Sequence, residues 1–183
     1  LGYRTYILVM SFYQKIAAIG TKYLGLANTF KYGFNLSPMY RRSTARITNV
    51  SSDLLKVNIK LPLSYKNKNY VNSIFGGSLF SAVDPIQMVQ LINLLGDDYV
   101  VWDKSARISF KRPAKEDVYA EFNYTISELT DIKKRVHEHN EIDIEKITQI
   151  TNKNQSKIFC EVKKTIYVAT KSYYKQKRKL KSI

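Results

Sequence analysis

The sequence has few residues of the types that form cross-links or bind metals. It contains one cysteine, Cys160, and two histidines in 183 residues, so a disulfide framework within the chain is excluded. Cys160 follows Ile158 and Phe159, which favours a small apolar side chain in a strand over a reactive thiol. The histidines, His137 and His139, lie in a charged stretch without a nearby cysteine, and they are weak evidence for a metal site.

Long hydrophobic runs are also scarce. The apolar run at residues 6–13 ends after eight residues at Gln14 and Lys15, well short of the roughly 20 residues that span a bilayer. In the absence of a convincing targeting or membrane segment, we expect a cytoplasmic protein. The sequence also has no P-loop, no dinucleotide-binding glycine fingerprint and no serine-nucleophile elbow.

Negative charge is under-represented. There are 30 lysine and arginine residues against 15 aspartate and glutamate residues, a net charge of +15. This excess is either compositional drift or an attraction for an anionic partner, such as a CoA phosphate, an acidic carrier protein, a membrane surface or nucleic acid. DNA binding would require a helix-turn-helix, and residues 6–34 are too apolar and too often broken by glycine to form one. We therefore expect no nucleic-acid partner.

The order of the predicted elements indicates an α+β fold. Residues 1–37 have apolar residues at helical spacing and predict a broken helical extension, which packs on the main domain or touches a membrane surface. Residues 38–170 predict a hairpin or a bent long strand at 45–61, one very apolar helix at 78–95, strands at 100–110 and 118–124, and a hairpin of strands 142–150 and 157–168. A single apolar helix needs a sheet to cover it, so we expect an antiparallel sheet around one long central helix.

Two further segments have weaker patterns. Residues 128–140 predict a charged connector with at most a helical turn, and residues 171–183 predict a solvated basic tail. In the strand at 100–110, alternation predicts an apolar face that includes Trp102 and a mostly polar face that includes Asp103 and Arg107.

A pair of glycines, Gly76 and Gly77, directly precedes the apolar helix. The first N–H groups of a helix have no acceptor within it, and glycine allows another group to approach them closely. With the helix dipole behind them, they can hold a developing oxyanion. Many helices begin at glycine for turn geometry alone, so both interpretations stay open.

Asp84 lies in the apolar helix between Val83 and Pro85. A carboxylate in such a place carries a desolvation cost unless it is paired. It is either a general base or nucleophile, or a structural residue bonded to backbone groups that Pro85 leaves free.

Residues 69–84 resemble the N-x-x-G-x-x-H-G-G-x-x-x-x-x-x-D signature of phenylacetyl-CoA-thioesterase-like proteins. These are hotdog-fold members of the acyl-CoA thioesterase superfamily. Asn69, Gly76, Gly77 and Asp84 match it at the right spacing. The resemblance covers roughly residues 38–170 and is closest in pattern to an uncharacterised branch, a domain of unknown function. It implies a hotdog fold and hydrolysis of acyl-CoA or acyl-carrier thioesters, with CoA as part of the substrate and no separate cofactor.

The resemblance also implies roles for individual residues. Gly76 or Gly77 would donate the oxyanion N–H, Asp84 would act as base or nucleophile, and Asn69 would orient the thioester or the attacking water. Asp103 is a looser match to a residue that positions water. We expect Asn72, Phe75, Ser78 and Asp103 to contact the substrate.

Two positions depart from the signature. Asn72 replaces a glycine and tolerates the left-handed conformation, whereas Phe75 replaces the histidine and cannot hydrogen-bond a thioester. A protein that binds acyl thioesters without hydrolysing them is therefore the alternative function.

Finally, Gly77 and Asp84 are seven residues apart, about 10 Å along one helix. They cannot reach the same carbonyl from one chain, so we expect a homodimer with shared sites; whether two dimers pair further is open.

Overall fold

The structure is a computed structural model that describes residues 19–180. The predicted helical residues 6–18 lie outside this range. The elements in chain order are α1 (Leu26–Leu36), α2 (Pro38–Arg42), β1 (Arg46–Val50), β2 (Lys56–Leu61), α3 (Gly76–Leu95), β3 (Tyr99–Phe110), β4 (Val118–Asn123), α4 (Ile126–His139), β5 (Glu141–Thr151), β6 (Ile158–Thr170) and α5 (Lys171–Leu180).

The N-terminal helices are broken at a glycine, as predicted. Residues 19–24 are helical, and Gly25 separates them from α1 with a left-handed φ of 77°. Ser37 then separates α1 from α2. Phe30 of α1 is buried in the core, and the buried Tyr40 of α2 donates a hydrogen bond to the carbonyl oxygen of Ala82 at 3.0 Å. The described part of the extension therefore packs on the main domain.

The six strands form one sheet in the order β1-β2-β4-β5-β6-β3. All neighbouring strands are antiparallel. Strands β1 and β2 form a hairpin, which was one of the two expected arrangements, and the predicted hairpin β5–β6 is present. Helix α3 buries eight of its side chains against the apolar residues of the sheet. By length and composition alone α3 could span a membrane, but in this fold it is the central helix of the sheet. The predicted architecture is confirmed.

The expectation of a connector at residues 128–140 is wrong. Residues 126–139 form α4, a helix of 14 residues whose first turn is capped by Thr125, where Oγ1 accepts from the N–H of Glu128 at 3.1 Å. Its buried side chains, Leu129, Ile132 and Val136, fall on one face at helical spacing. Three apolar residues among many charges are a weak sequence signal, but they are enough to dock an amphipathic helix.

The C-terminal residues 171–180 also differ from the expected tail, since they form helix α5. None of its side chains is buried. The ammonium of Lys177 binds both oxygens of Glu141 on β5, at 2.7 and 2.5 Å. An ion pair therefore ties this basic helix to the sheet.

The predicted faces of β3 are wrong for part of the strand because of a β-bulge between Asp103 and Ser105. Before the bulge, Val101 is buried against the core and Trp102 is exposed. After the bulge, Ile108 packs on the core. The extra residue exchanges the two faces of the strand, and continuous alternation could not predict this.

The core consists of two apolar clusters with polar side chains between them. Along β6, Val162 belongs to one cluster and Ile166 to the other; along α3, Ile86 and Leu91 are divided in the same way. The buried positions between these residues are polar, and we call them the polar belt: Gln87, Gln90 and Lys164. The candidate site lies at one side of this belt.

Candidate functional site

The glycine pair begins the central helix. The first helical hydrogen bond runs from the N–H of Leu79 to the carbonyl of Phe75 at 3.1 Å. The N–H groups of Gly76 and Gly77 precede it and have no acceptor within the helix. Gly77 is exposed and Gly76 is partly exposed, so both residues lie at the surface of the chain.

Two aromatic rings lie against these glycines. A Cβ atom at Gly76 would be 2.8 Å from Cζ of Phe110, and one at Gly77 would be 2.3 Å from Cε1 of Phe75. Both distances are too short for any side chain unless the ring moves. Phe75 and Phe110 are 58% and 57% exposed. We call this apolar rim beside the helix start the aromatic mouth; it consists of Phe75 and Phe110.

The loop before the mouth is held together by Asn69. Its Oδ1 accepts from the N–H groups of Val71 and Ser73, both at 3.1 Å, and its Nδ2 donates to Ser73 Oγ at 3.0 Å. Asn72 has the left-handed φ of 61° that asparagine tolerates, as predicted. These contacts use the Asn69 amide to shape its own loop, and its predicted role at the thioester stays a prediction.

Ser78, another residue expected at the substrate, lies in the first turn of α3. Its N–H donates to the carbonyl of Phe75 at 2.9 Å, and its side chain is partly exposed. The start of the helix therefore collects Phe75, the glycine pair and Ser78 in one place.

Asp84 lies two turns further along α3 and is paired with a lysine. The ammonium of Lys164 on β6 donates to Oδ1 of Asp84 at 3.1 Å and to the main-chain carbonyl of Asp84. It also donates to Oδ2 of Asp103 on β3. The structure thus brings together two predicted residues, Asp84 and Asp103, through a third that the sequence analysis did not include.

The three side chains differ in burial. Lys164 is 2% exposed, Asp103 is 25% exposed and Asp84 is 44% exposed. Burial raises the pKa of Asp103, although the hydrogen bond and the charge of Lys164 oppose this shift. The second oxygen of Asp103, Oδ1, is buried and has no hydrogen-bond partner within residues 19–180.

These contacts bear on the structural interpretation of Asp84, and its catalytic role stays a prediction. The expected structural alternative was a bond to backbone groups freed by Pro85, but the partner of the carboxylate is the ammonium of Lys164. The side chain is also more exposed than its apolar helix suggested, so the carboxylate is partly accessible from the surface. Within one chain, Gly77 and Asp84 remain about 10 Å apart along the unbroken α3.

Lys164 left a signal in the sequence. On β6 the inward positions are Cys160, Val162, Lys164, Ile166 and Val168, so one lysine interrupts an apolar row. A charged residue at a core position of a strand is a candidate for pairing or function. The paired residues themselves, on α3 and β3, could not be identified from spacing.

A reactive thiol and a metal centre are two other kinds of site to consider within residues 19–180. Cys160 is buried in the core, and burial raises the pKa of its thiol to about 12, as expected for an apolar filler. Among the described residues, no group of three histidine, cysteine, aspartate or glutamate side chains is placed to hold a metal ion.

Solved structures similar to this chain include several thioesterases. A Pseudomonas aeruginosa protein of unknown function, described as a probable thioesterase, is 17% identical, with a TM-score of 0.68 over 78% of this chain and 95% of its own. A thioesterase from Haemophilus influenzae is 14% identical, with a TM-score of 0.56 over 79% and 90%. A thioesterase from Staphylococcus aureus is 13% identical, with a TM-score of 0.51 over 73% and 99%.

These likenesses define the class: the chain has a thioesterase-like hotdog fold. A family model described as a domain of unknown function, DUF4442, matches residues 27–168. The chain therefore belongs to the DUF4442 family, which agrees with the uncharacterised branch suggested by the signature. A search of curated proteins finds no match.

Proposed function

We propose that this protein hydrolyses acyl thioesters, as acyl-CoA or acyl-carrier substrates, and that it does so as a homodimer. The observation that carries this proposal is the presence of two kinds of functional group on one helix of a thioesterase-like fold. The helix offers free N–H groups at Gly76 and Gly77, and it offers the partly exposed carboxylate of Asp84 two turns later.

The proposed reaction can follow either of two routes. In one, water attacks the thioester carbonyl and Asp84 takes the proton from this water. In the other, Asp84 attacks the carbonyl itself and forms an anhydride that water then cleaves. The N–H groups of Gly76 or Gly77 stabilise the oxyanion. The carbon–sulfur bond breaks, and the thiolate takes up a proton to leave as the free thiol.

The homodimer follows from the length of helix between the two groups. The carbonyl carbon and oxygen are bonded to each other, so donors about 10 Å from Asp84 cannot serve the same carbonyl. The glycine pair of one chain would therefore face Asp84 of a second copy. Strand β3 is at the edge of the sheet, and its outer edge is available for antiparallel pairing with the same strand of that copy.

A panel of acyl-CoA substrates tests the activity. We expect wild-type protein to hydrolyse at least one of them, and Asp84→Asn to lower kcat by about 100-fold or more, since it keeps the shape and removes the base. The matched control is Asp131→Asn, which makes the same change at an exposed carboxylate on α4. Full turnover by folded Asp84→Asn protein would end the assignment of Asp84.

Mixing two inactive variants tests the shared site. Gly77→Val blocks the donors, because its side chain would meet the ring of Phe75, while Asp84→Asn removes the base. A heterodimer of the two would regain one intact site, so we expect activity to return on mixing. Heterodimers that stay inactive, or an active monomer, would contradict the shared site.

Phe75 supports a second candidate, a protein that binds acyl thioesters without hydrolysing them. Its ring lies against Gly77 in the position where the signature has a histidine. If the missing histidine limits the rate, Phe75→His should raise hydrolysis. Tight acyl-CoA binding with no turnover in either protein would favour the binding function, and calorimetry beside the hydrolysis assay distinguishes the two.

A further inference from the structure

Lys164 is a buried ammonium whose three N–H groups meet three acceptors. Two of these acceptors belong to Asp84, its side-chain Oδ1 and its main-chain carbonyl, and the third is Oδ2 of Asp103. The contacts to Asp84 close a ring through the lysine, so the side chain of Asp84 is tied to its own backbone.

Stability alone does not account for a lysine at this position. Its neighbours in the inward row of β6 are Val162 and Ile166, which are fully buried. Removing an ammonium from water is costly even when it is paired, and replacing a whole buried ion cluster with apolar residues of similar volume is often neutral or stabilising. Apolar residues at all three positions of the cluster would avoid that cost.

The charges of the cluster are unequal. Two carboxylates share one ammonium, and Asp84 is the more exposed of the two acids while Asp103 faces the interior. Lys164 engages Oδ1 of Asp84 and not Oδ2. The lysine therefore sets the direction of the carboxylate and leaves one of its oxygens for another partner.

We propose that Lys164, anchored by Asp103, is a positioning residue that fixes the Asp84 carboxylate in the orientation needed to activate water. This inference rests on the proposed function. Lys164 itself is too buried to touch a substrate, and it acts only through Asp84. A displacement of about 1 Å in a catalytic group can lower a rate by roughly 100-fold, so the effect should appear in kcat and not in KM.

The test compares Lys164→Met with Lys146→Met in the full chain, using the best acyl-CoA substrate. Lys146 is a close control, because it is the cross-strand partner of Lys164 on β5 and its side chain is 14% exposed, but it pairs with Glu128. We expect Lys164→Met to lower kcat by roughly 10- to 100-fold with KM within about twofold. Lys146→Met should leave both values within about twofold. Equal losses in both variants would overturn the inference.

Chemical rescue separates positioning from packing. In Lys164→Ala, added methylammonium or ethylammonium should restore kcat in a saturable way, because a small ammonium ion can occupy the vacated position. The neutral control, an alcohol of similar size, should not. Rescue by the alcohol alone, or by neither compound in a folded variant, would contradict a role for the charge.

A spectroscopic measurement keeps this inference separate from the proposed function. The ¹⁵N-labelled ammonium of Lys164 should give a slowly exchanging NMR signal that shifts in Asp84→Asn and stays in place in Asp131→Asn. If the wild-type protein shows this pattern but hydrolyses no substrate, the proposed hydrolase function is refuted, while the interaction of Lys164 with Asp84 is supported. If the Lys164 signal does not shift in Asp84→Asn, the interaction of Lys164 with Asp84 is refuted whatever the activity.

Discussion

Replacing Lys164 with methionine removes one buried positive charge and keeps most of the side-chain volume. At pH 7 the substitution leaves the carboxylates of Asp84 and Asp103 together without a counterion. Removing one partner of a fully buried pair costs about 3–5 kcal/mol, but Asp84 is 44% exposed and water screens its share. We therefore expect a loss of about 2 kcal/mol in the free energy of unfolding, which is roughly 4–8 °C in Tm for a chain of this size.

The pH dependence of this loss identifies its cause. Burial already raises the pKa of Asp103 in the wild type, and without Lys164 that pKa should rise further. An acid whose pKa is higher in the folded state destabilises the fold above that pKa, and the cost disappears as the pH falls through it. The difference between wild type and Lys164→Met should therefore be largest near neutral pH and should shrink toward pH 4.

Urea unfolding at a series of pH values measures the effect. The double variant Lys164→Met/Asp103→Asn is the control, because it also removes the Asp103 charge that the single variant leaves unpaired. It should recover part of the lost free energy of unfolding at pH 7. A difference that is the same at every pH would mean that packing and not charge is responsible, and a more stable single variant at pH 7 would refute the reasoning.

Three further predictions concern the scaffold. The Cys160 thiol, with a pKa raised to about 12 by burial, should resist a thiol reagent at pH 8 in the folded protein and react fully in urea; rapid reaction without denaturant would contradict its burial. Tyr40→Phe should lower the free energy of unfolding by about 1 kcal/mol, because it removes the buried hydrogen bond to Ala82, and an unchanged urea midpoint would show that this bond contributes nothing. Hydrogen bonds from Lys177 and a tyrosine lower the pKa of Glu141, so the ion pair that holds α5 is present above the ordinary glutamate pKa and is lost as the pH falls through the lowered value. Glu141→Gln should therefore speed amide exchange in α5 at neutral pH, and equal exchange in both proteins would refute a stabilising role of this ion pair.

Much of the fold could be predicted from the sequence because its signals are local. Alternation marked the hairpins, and one helix stood out as apolar around most of its circumference. The left-handed Asn72 follows from the conformational tolerance of one residue type. Such features depend on a few consecutive residues, so they do not require knowledge of the tertiary contacts.

The missed features depend on contacts between distant segments. Helix α4 is stabilised mainly by docking three apolar residues on the sheet, and its remaining sequence reads as a polar loop. The partner of Asp84 lies 80 residues away in sequence. Periodicity can show that Lys164 occupies an inward position, but only the folded sheet shows that Asp103 and Asp84 converge on it.

The bulge in β3 makes the two ends of that strand independent of each other. Because one extra residue exchanges the faces, the strand presents Asp103 to Lys164 and, further on, Phe110 to Gly76. In a regular strand, an inward residue 103 would place residues 105, 107 and 109 inward and turn Phe110 away. Gain or loss of a single residue beyond the bulge would thus replace the ring over Gly76 with a smaller or polar neighbour and leave the charged cluster in place. The aromatic mouth and the charged cluster can therefore change separately among proteins with this fold.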